Sequence, residues 1–186
     1  AGTGPGVTEA GAGPRTLGGI PMAAMPRPHV ELARLWADLE ALATFTDPVR
    51  PYTRRAFTQV YGEGRQWLAA RIEEAGLSTS IDAGGNLIGR LEGTDPNLPP
   101  LMAGSHTDTV VGGGRFDGTA GVLGALEAIR ALRDAGVRLR HPIEIVDFLA
   151  EEPTDYGIAC VGSQAMATGR DPAVLAQSDP SGETLA

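Results

Sequence analysis

Three short motifs bring together side chains that bind metal ions and side chains that move protons. In chain order they contain His106 with Asp108, then Asp117, then the pair Glu151 and Glu152. Imidazole and carboxylate groups are the ligands that zinc and similar divalent ions take from proteins. A carboxylate beside a metal-bound water can also accept a proton from that water. The combination therefore predicts a hydrolase site with two metal ions.

The first motif reads Gly-Ser-His-Thr-Asp-Thr over residues 104–109. A strand directly before His106 would fix its backbone, and Asp108 could hydrogen-bond the second ring nitrogen and set the tautomer. The pattern is weak by itself, because a hydrogen-bonded loop histidine has the same appearance. The glycine-rich residues 112–118 place Asp117 just before a predicted helix, where its alternative role is that of an N-cap. No Gly-Lys-Ser or Gly-Lys-Thr follows, which argues against a phosphate loop.

The adjacent carboxylates of Glu151 and Glu152 follow seven mostly apolar residues, 143–149. On a regular strand the two side chains would point to opposite faces. At the end of the strand, one can bind metal while the other faces a bound water. Asp117 can bridge two cations about 3.5–4 Å apart and offset their repulsion.

Other candidate residues have simpler interpretations. His29 and His141 are predicted to lie in irregular segments, and Cys160 in a buried apolar stretch. Three charged segments are predicted to be solvated faces: residues 38–40, 54–55 and 138–140.

The pattern of apolar residues predicts the elements that must position these motifs. Helices are expected over residues 30–42, 58–75 and from the glycine-rich stretch to 135. Strands are expected over residues 77–82, 86–91, 101–105 and 143–149. The strand–helix–strand order predicts an α/β fold, a mixed sheet with helices on its faces. Chemistry in such sheets collects at the carboxyl ends of the strands, where the acidic motifs stand.

Length and charge narrow the function further. A chain of 186 residues suits one domain, and a net charge of −8 argues against binding nucleic acid. The sequence contains no run of about 18 apolar residues, so no membrane span is predicted. Cys160 is the only cysteine, which favours a reducing, cytoplasmic compartment. Residues 1–28 are predicted to be a disordered leader before a domain over 29–186, and residues 179–186 a turn leading into a further helix.

The motifs together resemble the zinc-dependent hydantoinase/carbamoylase family of amidases, which are relatives of the dinuclear zinc aminoacylases and exopeptidases. The resemblance runs from about residue 30 to the end of the chain, and its strongest segments are residues 86–93, 104–110, 113–118, 148–155 and 162–163. It implies a dinuclear-metallopeptidase-like catalytic domain. It also implies hydrolysis of non-peptide C–N bonds in N-carbamoyl amino acids, ureido acids or allantoate.

The resemblance also implies a role for each site residue. His106 would bind one metal ion, Asp117 would bridge both ions, and Glu152 would bind the second. Asp108 would orient His106, and Glu151 would be the general base. Two divalent ions are implied, with zinc favoured and manganese, cobalt or nickel left open.

Family members take a further histidine ligand for each metal from segments that have no match here, and they carry a lid and dimerisation domain. The chain is therefore expected to be the N-terminal part of such an enzyme, weak in metal binding and nearly inactive alone. The full-length enzyme is expected to be a homodimer that acts on a small ureido or carbamoyl substrate. Gln164 stands where relatives often have arginine. An aminoacylase or exopeptidase, and a truncated scaffold without catalytic activity, remain alternatives.

Overall fold

A computed structural model of the chain describes residues 16–17, 20–21, 26–169 and 172–185. The strands within these ranges are β1 Thr16–Leu17, β2 Ile20–Pro21, β3 Ser78–Ile81, β4 Leu87–Leu91, β5 Leu101–Ser105 and β6 Ile143–Asp147. The helices are α1 Leu32–Ala43, α2 Gln59–Glu74, α3 Thr119–Asp134 and α4 Val161–Thr168, followed by a 3₁₀ helix, Pro172–Ala176.

The predicted mixed α/β sheet is confirmed. Its four strands have the order β3-β4-β6-β5. Strands β3 and β4 form the predicted antiparallel hairpin, and β4 is also antiparallel to β6. Strand β5 pairs in parallel with β6, and α3 connects the two. The carboxyl ends of β5 and β6 therefore lie side by side, which brings the first and third motifs to one edge of the fold.

One hydrophobic core joins the first three helices to the sheet. Helix α2 begins after Thr58, whose Oγ1 accepts a hydrogen bond from the Tyr61 amide at 3.3 Å. Its apolar side meets α1, α3 and the sheet in a set of side chains that are at most 7% exposed. The members are Leu42, Leu68, Ile72, Ala75, Leu77, Leu87, Val122, Leu123, Leu126, Ile129 and Ile145. This core fixes β6, from which the third motif emerges, and β5 is held beside it by its parallel pairing with β6.

Charged side chains also lie between the helices, in what we call the interhelix cluster: Arg34, Asp38, Arg71, Glu127 and Arg130. The Asp38 carboxylate lies 3.1 Å from Arg71 Nε and 2.5 Å from Arg130 Nη1. Glu127 lies 2.7 Å from Arg34 Nε. The prediction that Asp38 belongs to a solvated face is wrong, because α1 turns it toward α2 and α3, where two arginines neutralise it.

Strand β6 ends at Asp147, two residues before the predicted end. Asp147 has the last ladder partners, Ser105 and Leu87. Beyond it the Leu149 amide leaves the ladder and donates to Asn86 Oδ1 at 3.0 Å. Ala150 then takes a positive φ of 50°. Glu151 and Glu152 thus follow a tight turn rather than the strand itself.

The two ends of the chain differ from the sheet region. The predicted leader, residues 1–28, lies mostly outside the described residues. Where it is described, Thr16–Leu17 pairs antiparallel with Ile20–Pro21. The predicted helix start after residue 179 is wrong for the described residues, since Ser178 and Thr184 form an antiparallel bridge instead. The Asp179 carboxylate accepts the amides of Ser181 and Glu183 and closes that turn.

Among the described residues, no helix has the length and apolar composition that crossing a membrane requires.

Candidate metal centre

His106 is the first residue after β5 and only 8% of its surface is exposed. Its Nδ1 lies 3.1 Å from the carbonyl oxygen of Asp108. A carbonyl can only accept a hydrogen bond, so this contact assigns the proton to Nδ1. When the ring is neutral, the other nitrogen, Nε2, carries the lone pair, which is the form in which imidazole binds metal.

Three of the predicted ligands meet. His106, Asp117 and Glu152 each offer a ligand atom, and these atoms lie within 4.8 Å of one another. His106 Nε2 is 4.0 Å from Asp117 Oδ1. Tetrahedral zinc with bonds of about 2.0–2.2 Å places its ligand atoms roughly 3.3 Å apart. The group fits a divalent cation after a contraction of about 1 Å, which side-chain rotation can supply because Asp117 is 61% exposed.

A glycine lets Asp117 come this close to the imidazole. Gly118 has a φ of 64°, and a Cβ there would lie 2.5 Å from His106 Nε2 and 2.4 Å from the His106 carbonyl oxygen. Any side chain would therefore collide with the ring and also strain the backbone. Gly118, rather than Asp117, is the N-cap residue of α3, and it makes no side-chain cap. The N-cap alternative for Asp117 does not apply.

Asp108 connects the two loops that carry the ligands. It is 1% exposed, and its Oδ1 and Oδ2 accept the backbone amides of Glu151 at 3.2 Å and Glu152 at 3.0 Å. Its Oδ1 is 3.5 Å from His106 Nδ1, which is longer than the ring's contact with the Asp108 carbonyl. The sequence suggested the contact with His106 but gave no sign of the bonds to the β6 loop.

Glu151 stands apart from the three ligands. Its Oε2 accepts a hydrogen bond from Ser163 Oγ at 2.7 Å, and its carbonyl accepts the Cys160 amide at 3.0 Å. Ala150, which precedes Glu151, and Cys160, which donates this amide, have positive φ values of 50° and 52°. For residues with a side chain this conformation is costly and tends to occur at functional sites. The turn aims Glu151 toward α4 while Glu152 faces His106.

Negative charge predominates at the centre. Burial by itself would lower the pKa of His106, but Asp108 and Glu152 raise it to about 9. Burial raises the pKa of Glu152, Asp117 and Asp108 raise it further, and His106 opposes them. One imidazole thus stands among several carboxylates, an imbalance that a divalent cation would correct.

A buried ion pair lies below the loops. Asp147 is fully buried, and its Oδ2 accepts a hydrogen bond from Arg65 Nε at 2.8 Å. Burial raises the pKa of Asp147, and the charge of Arg65 works against that rise. Arg65 also lies 5.5 Å from the ring centroid of Tyr61. Sequence reasoning missed this pair, although an aspartate that ends an apolar strand was a usable signal.

Asn86 fixes the turn that precedes Glu151. It is completely buried, its Oδ1 accepts the Leu149 amide, and its Nδ2 donates to the Gly162 carbonyl at 3.1 Å. A Cβ on Gly162 would lie 1.8 Å from Asn86 Oδ1. The segments 86–93 and 162–163 were recognisable in the sequence, but their contact was not.

The prediction that Arg54 is solvated is wrong, since the residue is 0% exposed.

The remaining candidates do not belong to the group of three ligands. The His29 side chain is 84% exposed, and His141 Nδ1 is 2.8 Å from the Pro99 carbonyl oxygen. Cys160 is half-buried beside Glu151. Gln164 is exposed on α4, and the structure does not explain the effect of glutamine there.

The parallel β5–α3–β6 unit with His, Asp and Glu at its carboxyl edge defines the catalytic fold of a metallopeptidase-like hydrolase. The profile of Peptidase family M28 matches residues 86–180, which include all five predicted site residues. The chain belongs to this family.

Individual relatives confirm the resemblance to the hydantoinase/carbamoylase amidases. An N-carbamoyl-L-amino acid amidohydrolase of Geobacillus stearothermophilus is 40% identical over 154 residues, 82% of this chain and 38% of that protein. A ureidoglycolate hydrolase of Oryza sativa subsp. japonica is 39% identical over 140 residues, 75% of this chain and 29% of that protein. A hydantoinase/carbamoylase family amidase from Burkholderia ambifaria has a TM-score of 0.79 at 38% identity and covers 85% of this chain and 39% of its own. The chain thus spans between 29% and 39% of the length of these relatives.

Proposed function

We propose that the protein is a metal-dependent amidohydrolase that cleaves non-peptide C–N bonds in N-carbamoyl amino acids, ureido acids or allantoate. The observation that carries this proposal is the convergence of His106, Asp117 and Glu152 within 4.8 Å at the carboxyl edge of the sheet. The names of the relatives support the substrate class, because they include an N-carbamoyl-L-amino acid amidohydrolase and a ureidoglycolate hydrolase.

In this proposal His106, Asp117 and Glu152 would hold two divalent ions, with Asp117 shared between them, His106 serving one ion and Glu152 the other. Zinc is the ion we favour, because an imidazole with carboxylates suits it, and manganese, cobalt or nickel are the alternatives. When bound, the ions supply Lewis-acid activation of the substrate carbonyl and of the attacking water.

Glu151 is the proposed general base. It accepts a proton from water as the water oxygen bonds to the carbamoyl carbon, and it then passes that proton to the nitrogen as the C–N bond breaks. Because Ser163 already occupies Oε2, the proton is expected at Oε1. Asp108 does no chemistry itself but keeps the two loops in register through the amides of Glu151 and Glu152.

Residues 29–186 are proposed to form the N-terminal part of the catalytic domain. Each ion would have only two protein ligands here, where a zinc site with an open position usually has three. We therefore expect weak metal binding and little activity from this chain alone. A homodimeric full-length enzyme and a cytoplasmic location complete the proposal, the latter supported by the single cysteine.

Zinc content tests the metal site. The chain, purified with added zinc, is expected to carry less than one ion per chain, and Asp117→Ala is expected to carry almost none. Asp134→Ala is the matched control, since the Asp134 side chain is 58% exposed and that of Asp117 is 61% exposed. Equal zinc in all three proteins would show that the ions bind elsewhere.

The family profile carries the name of a peptidase, so an exopeptidase is the second candidate. Release of ammonia from an N-carbamoyl amino acid can be compared with cleavage of a dipeptide, each with added zinc and after chelation. We expect that any activity which the chelator abolishes will be on the carbamoyl substrate rather than on the dipeptide. Preference for the dipeptide would favour the peptidase.

A further inference from the structure

We propose that Arg54 is a positioning residue that holds the metal-binding loop 106–109 in place. This inference rests on the proposed metal site. Arg54 is one of the largest fully buried side chains of the molecule. It lies outside the ligand group, in the segment between α1 and α2, and it touches the loop that carries His106 and Asp108.

Arg54 and the loop are joined on both sides of Asp108. Arg54 Nε donates to the Thr107 carbonyl at 2.8 Å. The Arg54 amide donates to Thr109 Oγ1 at 2.8 Å, and the Thr109 amide returns a bond to the Arg54 carbonyl at 2.9 Å. The peptide unit between Thr107 and Asp108 thus cannot rotate without breaking the bond from Arg54 Nε to the Thr107 carbonyl.

The far end of the guanidinium is anchored to a helix terminus. Nη1 donates to the Leu42 carbonyl at 2.8 Å and to the Phe45 carbonyl at 2.9 Å. Leu42 lies in the last turn of α1, where carbonyls lack partners within the helix and the helix dipole favours a cation. The same helix is held to α2 and α3 by the interhelix cluster, so Arg54 connects the metal loop to a rigid support.

The chemistry of this contact explains why the residue is an arginine. Its side-chain hydrogen bonds all go to carbonyls, and Nη2 is buried without a partner among the described residues. A buried cation that makes no carboxylate pair is costly, so packing alone would favour an apolar residue. Lysine has no planar fork and cannot reach carbonyls in two directions at once. We therefore infer that Arg54 is present to fix the position of the loop rather than to stabilise the core.

Displacement of the Thr107 carbonyl would reach the loops that carry His106 and Glu152. It would move His106 directly, and it would move Asp108, which holds the amides of Glu151 and Glu152. Groups that orient ligands without touching the metal typically change metal affinity 10- to 100-fold.

The test is titration of the chain with Co²⁺, followed by calorimetry and by the visible spectrum of the bound ion. Arg54→Lys and Arg54→Met are expected to weaken Co²⁺ binding about 10- to 100-fold and to change the spectrum. Arg130→Met is the matched control: its side chain is 8% exposed and belongs to the interhelix cluster. It is expected to lower the melting temperature and leave Co²⁺ affinity and spectrum unchanged.

Each outcome decides something. Arg54 variants that bind Co²⁺ like the wild type, with only a lower melting temperature, would overturn the positioning role and leave the metal site intact. An equal loss of affinity in Arg130→Met would also overturn it, because the effect would then be general destabilisation. If Arg54→Met does not fold, Arg54→Lys decides alone. Wild-type chain that binds Co²⁺ no better than Asp117→Ala would defeat the metal site itself, and the role of Arg54 with it.

Discussion

The interhelix cluster and the metal centre both concentrate buried charge, and they differ in how that charge is balanced. In the cluster, Asp38 contacts Arg71 and Arg130, and Glu127 contacts Arg34. Every buried carboxylate there has an arginine within hydrogen-bond distance. At the centre, Asp108 is held by backbone amides, and the cation closest to the acids is His106.

This difference separates a structural role from a ligand-binding one. Balanced charges stabilise the fold and have nothing left to bind. Unbalanced carboxylates around one imidazole destabilise the metal-free fold and gain by taking up a cation. Substitutions in the cluster should therefore change stability without changing metal affinity, and removal of the exposed carboxylate of Asp117 at the centre should do the reverse.

The largest effect on stability is expected in the cluster. Asp38→Ala leaves Arg71 and Arg130 without their buried partner, and removal of one member of a buried pair costs about 3–5 kcal/mol. Urea unfolding of the metal-free chain measures this loss. Asp117→Ala should cost far less, because its side chain is exposed and repelled by Glu152. A stability loss in Asp117→Ala as large as that in Asp38→Ala would remove the distinction between the two regions.

His106 should give the centre a pH dependence of stability. The folded-state pKa of His106 is about 9, above its ordinary value of 6.5. This contribution is fully present below pH 6.5 and is lost as the pH rises through 9, a change of about 2–3 kcal/mol.

The measurement is urea unfolding of the metal-free chain at several pH values between 6 and 9.5, for the wild type and for His106→Gln. The wild type should lose stability across this range and the variant should not. If both proteins show the same slope, the charge at the centre does not contribute to stability.

The sequence predicted the strands and the convergence of His106, Asp117 and Glu152 because both depend on local patterns. Alternation and apolar runs placed β5 and the hairpin correctly, and the parallel pair implied that the motifs of His106 and Glu152 meet. Local sequence patterns could not predict contacts between distant segments. The hydrogen bonds from Arg54 Nε to the Thr107 carbonyl and from the Leu149 amide to Asn86 Oδ1 join residues 53 and 63 positions apart. Charged residues such as Asp38 and Arg54 are predicted to be solvated because the partners that offset the cost of their burial are distant in sequence.

The smallest expected effect tests whether Glu151 is separate from the ligands. Ser163→Ala removes the hydrogen bond from Ser163 Oγ to Glu151 Oε2 and should lower the free energy of unfolding by about 1 kcal/mol. Co²⁺ affinity should stay within about twofold of the wild type, because neither residue belongs to the ligand group and a disturbed ligand would cost more. Ser163→Thr, which keeps the hydroxyl, is the control. A loss of affinity in Ser163→Ala that Ser163→Thr restores would place Glu151 among the metal ligands, and the base would then have to be another carboxylate.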